Sequence, residues 1–117
     1  MSFEEQRPER QGTTTTGEDD ALRCVRCDHR ITDRSYRCEQ GGAHEHVFVN
    51  AAGYTYTIGC FVAAPGCGHR GPSEEAFTWF PGWAWQIAVC GSCNAHVGWI
   101  YRLAGSQFHG LILAALR

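Results

Sequence analysis

The sequence predicts a small, mostly β domain, and three observations carry that prediction. Glycine-containing turns recur between short apolar runs, as at Gly41-Gly42, Ala52-Gly53 and Pro81-Gly82. Inside the runs the large side chains alternate with small or polar ones, and no segment sustains the helical period of 3.6. Two Cys-x-x-Cys turns, Cys24-x-x-Cys27 and Cys90-x-x-Cys93, punctuate the chain near its two ends.

Residues 1–20 read as a disordered polar tail. They include Thr13-Thr14-Thr15-Thr16 and set six carboxylates (Glu4, Glu5, Glu9, Glu18, Asp19, Asp20) against Arg7 and Arg10, with only Phe3 to bury. Residues 21–117 then form one domain, small enough to profit from a metal staple. Cys24 to His29 makes a tight turn, His46 to Asn50 an apolar strand, and Tyr54 to Val62 a second strand in which Tyr54, Tyr56 and Ile58 alternate with threonines. Residues 64–75 read as a loop rich in Gly and Pro. Phe77 and Trp79 share one strand face before the Pro81-Gly82 turn. Trp85, Ile87 and Val89 then face one way, with Gln86, Ala88 and Cys90 facing the other. Past the second Cys-x-x-Cys, Val97, Trp99, Tyr101 and Leu103 share a face. Phe108 to Leu116 is the closing strand, with room for a helical turn at Ala114-Ala115.

Composition excludes several functions. All ten cationic residues are arginine, the pI is near 6.3, and no basic run is present, so the footprint of a nucleic-acid binder is missing. The longest apolar stretch, Gly110 to Leu116, is far short of a membrane span. Seven cysteines with no apolar leader at the start point to a reducing, cytoplasmic setting in which thiols bind metal.

Cys24, Cys27, Cys90 and Cys93 supply four thiolates, enough to close a tetrahedral structural Zn2+ site, one per chain. The alternative is a redox dithiol in one turn with the other incidental. Cys60 reads as a core strand residue, and Cys38 and Cys67 as spare thiols. His96 is a strand histidine or a partner to the metal ligands, His69 lies beside Cys67, and His44 and His46 share one strand face.

All four tryptophans fall within residues 77–101. If Cys90 to Cys93 is a hairpin turn, Trp85 lies nearly opposite Trp99, where aromatics pack across strands. Trp79 leans toward the same place, and Tyr101 forms a floor. Such a box suits a flat ring of five or six atoms, with polar contacts from the backbone of residues 77–79, around Thr78. The competing reading is an ordinary sandwich core.

The run Phe77-x-Trp79-Phe80-Pro81-Gly82-x-Ala84-Trp85, followed by Cys90-x-x-Cys93 and His96-x-Gly98-Trp99, resembles the thalidomide-binding CULT domain of the cereblon family, and most closely its single-domain bacterial homologues. The resemblance extends over nearly all of residues 22–117. It takes in Cys24-x-x-Cys27, the run from Gly41-Gly42 through His44-Glu45-His46-Val47 to Asn50, Gly71-Pro72-Ser73, and Phe108-x-Gly110-Leu111. It implies two antiparallel sheets meeting like a tent, pinned by zinc on the four cysteines. It further implies a pocket lined by Trp79, Trp85 and Trp99, with Phe77, Tyr101 and Asn50 around it. Eukaryotic members carry histidine where this chain has Phe77. The protease-like and ubiquitin-ligase adaptor regions of full-length cereblon have no counterpart here, so ubiquitin transfer is not implied.

The function expected is a non-catalytic module for cyclic imides (glutarimide, succinimide) and uracil-like rings, either free or formed at a protein chain end, acting as a monomer. An aromatic cage for a quaternary ammonium group, with Glu74 and Glu75 nearby, is a second binding reading. A methionine sulfoxide reductase of the zinc-containing type is the enzyme reading. It lacks its nucleophile, because no cysteine follows Cys93 and the corresponding region is Ser106-Gln107-Phe108-His109-Gly110.

Overall fold

The computed structural model describes residues 20–117, so the expected tail, apart from Asp20, lies outside the described residues. Eight strands follow in order: β1 (Ala21–Arg23), β2 (Arg30–Asp33), β3 (Glu45–Val49), β4 (Thr55–Phe61), β5 (Cys67–Glu74), β6 (Ala84–Cys90), β7 (His96–Leu103) and β8 (Ser106–Ile112). They form two antiparallel sheets, β1-β2 and β3-β4-β8-β7-β6-β5. The fold is mostly β, as the alternation predicts, with short 3-10 turns at Arg34–Tyr36 and Leu113–Ala115. No helix among the described residues is long and apolar enough to cross a membrane.

The central strands bury both faces because successive side chains point to opposite sides of a sheet. On one face Phe61, Ala88, Val97, Ile100 and Leu111 pack with Leu22 and Ile31 of the small sheet. On the other, Ile58, Cys60, Tyr101 and Phe108 pack under Phe80 and the indoles of Trp79, Trp83, Trp85 and Trp99. Cys60 is buried, the core residue that its place in the strand predicts.

Four local expectations are corrected. Residues 67–74 are a strand, not a loop: Cys67 to Arg70 pair with Cys90 to Ile87, and a bulge then absorbs Gly71 and Pro72. An edge strand tolerates proline, which has no N–H to give, so a Gly/Pro-rich run conceals it. Residues 75–83 are not a strand, and Phe77 sits in the left-handed region at φ +60°. Trp85 pairs with Tyr101 and Ile87 with Trp99, two residues away from the expected register. The hairpin closes on Ala95 (Cys90 N–H to Ala95 C=O, 2.8 Å), not on Cys93. Finally, Val97 is an extra residue between the pairs Val89–His96 and Ala88–Gly98, so it joins Ile100 on the face opposite Trp99 and Tyr101.

Candidate functional site

Two sites emerge, and the first is the four-cysteine knuckle pair. Its halves are built alike. Asp28 and Asn94 each follow the second cysteine of a turn in the left-handed conformation, at φ 68° and 65°. Each donates its amide back to the first cysteine's carbonyl, Asp28 to Cys24 at 2.8 Å and Asn94 to Cys90 at 3.0 Å. Asp and Asn tolerate that conformation better than most residues. The small sheet brings Cys24 and Cys27, and the end of β6 brings Cys90 and Cys93.

The four sulfurs lie within 4.8 Å of one another. Cys24 and Cys93 are 3.8 Å apart, Cys27 and Cys90 3.5 Å. Four Zn–S bonds of about 2.3 Å in a tetrahedron require sulfur separations of about 3.8 Å, close to those of the cluster, which is able to hold a metal ion. Backbone amides favour thiolate. The His29 amide draws the Cys27 thiol down to about 7, and the Ser92 amide reaches Cys90 Sγ at 3.4 Å. The Ala95 amide pulls Cys93 the same way, yet burial and the three neighbouring thiols outweigh it and push that group up to about 11. Four thiols this close cannot all ionise without a cation among them.

The other cysteines stay apart from this chemistry. Burial pushes Cys60 and Cys67 up to about 12, aided by Cys38 and Cys90 respectively, and raises Cys38 as well. Cys67 packs against the core directly across from Cys90. His44 and His46 bond to the carbonyls of Cys38 and Ala43, each at 3.0 Å.

The second site is a cleft of about 540 Å³ on the aromatic face, within the range of small-molecule sites. Asn50, Phe77, Thr78, Trp79, Trp85, Trp99 and Tyr101 all line it. Trp79 and Trp99 meet edge to face with centroids 4.8 Å apart at 72°. Phe48 stacks behind Trp79 at 4.8 Å and 11°. Trp85 stands on β6, and its indole N–H donates to the Ala76 carbonyl at 2.7 Å, tying the 75–83 loop to the sheet. Asn50 Oδ1 accepts the amides of Ala52 and Tyr54, so this side chain shapes its own turn. Trp83 instead packs edge-on against Phe108. Phe77 is 93% exposed at the rim.

Sequence reasoning missed two aromatic wall residues. Tyr56 meets Trp99 at 5.3 Å and Trp79 at 6.0 Å. His96 lies edge-on to Trp99 at 4.9 Å and bonds to the Gly98 carbonyl at 3.0 Å. Burial lowers its pKa, so it faces the cleft as a neutral ring. Alternation in β4 was the available signal for Tyr56, since Tyr56 shares a face with the buried Ile58. For His96 the bulge at Val97 hid the parity.

The fold and the two sites define a class: a β domain that joins its sheets at a four-cysteine knuckle pair and opens an aromatic cleft on one face. No family model matches the chain. Among named proteins, the chain is similar to cereblon. It is 35% identical to Protein cereblon of Drosophila virilis over 77 residues, which are 60% of this chain and 12% of that protein. It is 34% identical to the Danio rerio protein over 74 residues, 59% of this chain and 17% of that one, and 31% identical to the Drosophila melanogaster protein over 77 residues. The chain spans less than a fifth of the length of these relatives.

Proposed function

We propose that the protein is a non-catalytic binding module for cyclic imides and uracil-like rings, held together by one structural Zn2+ on Cys24, Cys27, Cys90 and Cys93. One observation carries the reading. Trp79, Trp85 and Trp99 line the same cleft as Phe77 and Thr78, so apolar walls meet a segment whose backbone can offer polar groups. An imide presents acceptor, donor and acceptor along one edge, which a backbone carbonyl flanked by amides complements. Its remaining edge is apolar and suits indole faces. The similarity to cereblon supports the same reading. The ligand is a free ring or one at a protein chain end, and the domain binds it as a monomer in the cytoplasm.

An enzymatic reading is disfavoured. No cysteine lines the cleft, and the three thiols outside the knuckles are raised, not activated. The ammonium-cage reading draws on the same indoles, but no acidic side chain lines the cleft, and Glu74 and Glu75 are exposed outside it. Titration with glutarimide and its N-methyl derivative tests the proposal. Fluorescence quenching by glutarimide alone is expected, because methylation removes the single donor. Equal binding of both compounds, or preference for tetramethylammonium, would overturn it.

A further inference from the structure

The six-stranded sheet ends on two edges, β3 on one side and β5 on the other, and the two are built differently. An open edge is a row of unpaired backbone groups that another chain can join, and proteins guard such edges with charge, proline or bulges. β5 is guarded in all three ways: Gly71 and Pro72 fall in its bulge, and Arg70 and Glu74 are exposed along it. β3 is not. It pairs with β4 in unbroken register from Glu45 to Val49 and holds no proline. Its exposed side chains after Glu45 are valines, with Val47 65% and Val49 58% open.

The hydrogen bonds fix which backbone groups are free. The Cys60 amide donates to the His44 carbonyl at 3.0 Å, and the Asn50 amide to the Tyr54 carbonyl at 2.9 Å. The even-numbered residues of this segment therefore face β4. In an antiparallel pair the alternate residues point away from the partner. The amides and carbonyls of Glu45, Val47 and Val49 accordingly lie on the open side, where the sheet has no further strand among the described residues. The strand also runs into the candidate site, because Val49, Asn50 and Ala51 line the aromatic cleft.

We infer that the β3 edge docks an extended polypeptide as an added strand, whose cyclised C-terminal end supplies the ring in the cleft. This rests on the cyclic-imide reading above and commits it to a ring at a protein chain end. Donors and acceptors repeating at every second residue match an extended backbone, and the valines offer contacts to alternate side chains of the visitor. A ring at the C-terminus sets the direction. The visiting chain then runs from the Glu45 end toward Val49, parallel to β3.

The test is calorimetric titration of the full chain with two probes: an N-acetylated aminoglutarimide, and the same ring at the C-terminus of a valine/threonine peptide matched to the 5 residues of β3. The peptide is expected to bind roughly tenfold or more tighter than the acetylated ring. Val47→Pro removes an outward amide at an edge that tolerates proline, and Val47→Lys adds the missing charge. Both should erase the gain while binding of the acetylated ring, metal content and melting stay unchanged. N-methylating alternate peptide amides should erase it in one register and spare it in the other. No gain in the native protein, a gain that survives both substitutions, or two methylated series that bind alike would overturn this inference and leave the imide reading intact. A native chain that sediments as a dimer, with Val47→Pro a monomer, would put a second copy on this edge and overturn it equally. Failure of both probes to bind the native protein would overturn the inference and the imide reading together.

Discussion

The indole N–H of Trp85 donates to the carbonyl of Ala76 at 2.7 Å, and this bond joins a sheet strand to the loop that carries Thr78 and Trp79. Trp85 therefore has two tasks, one as a wall and one as a tether. Trp85→Phe keeps an aromatic wall but removes the tether. Imide affinity should fall at least about tenfold, on the scale of a lost hydrogen bond plus a loosened loop. Metal content should not change. Affinity within twofold of the native protein, measured by fluorescence of the remaining tryptophans, would show that the tether contributes nothing.

The knuckles join the small sheet to the large one, so metal and fold should be lost together. Cys90→Ser removes a buried thiol of the four-cysteine cluster, and a serine hydroxyl is a poor substitute for a thiolate at a metal. Loss of bound metal and of a cooperative thermal transition is expected. A variant that melts cooperatively without metal would argue against a structural role for the site.

Gly98 sits on β7 against the β8 backbone, paired with Leu111. A Cβ there would lie 2.2 Å from the Gly110 carbonyl oxygen, a backbone atom that cannot swing away, and its φ of 155° is positive. Gly98→Ala should destabilise the domain by about 3 kcal/mol or more. Urea denaturation measures this, and a change below about 1 kcal/mol would mean that the strands separate easily at this point.

His109 is 6% exposed with Nδ1 unpaired, and burial first, then Arg102, pushes it down to about 4. The unfolded chain takes up this proton near 6.5 while the folded chain refuses it until about 4. Stability is therefore complete above 6.5, falls as pH drops through that window, and levels off below it. The loss attributable to His109 is about 3 kcal/mol. The Asp33 carboxyl, held down by the Ser35 amide, adds its own loss only below its ordinary 3.8. His96, also lowered by burial, shares part of the His109 window, so the comparison is with His109→Gln, which retains it. Denaturation at pH 7 and pH 4.5 should show a smaller loss for the variant, and equal losses would remove His109 from the account.

Alternation identified β4 and the aromatic half of β6, because a two-residue period survives in any half-buried strand. The Cys-x-x-Cys spacing marked the knuckles, since a local turn places both sulfurs without help from the rest of the chain. Edge strand β5 was not legible, because Gly71 and Pro72 look like a loop when the neighbour that accommodates the bulge is unknown. The one-residue insertion at Val97 was equally silent, and it inverted the parity of everything before it in β7.

What the sequence by itself determined was the β class, the two cysteine knuckles and the aromatic concentration between residues 77 and 101. Local spacing and composition suffice for each of these. Tertiary structure alone decided that Trp85 faces Tyr101 and that Tyr56 and His96 join the wall. Those placements depend on cross-strand register, which bulges and turn lengths set residue by residue. A shift of one residue turns a wall side chain to the opposite face.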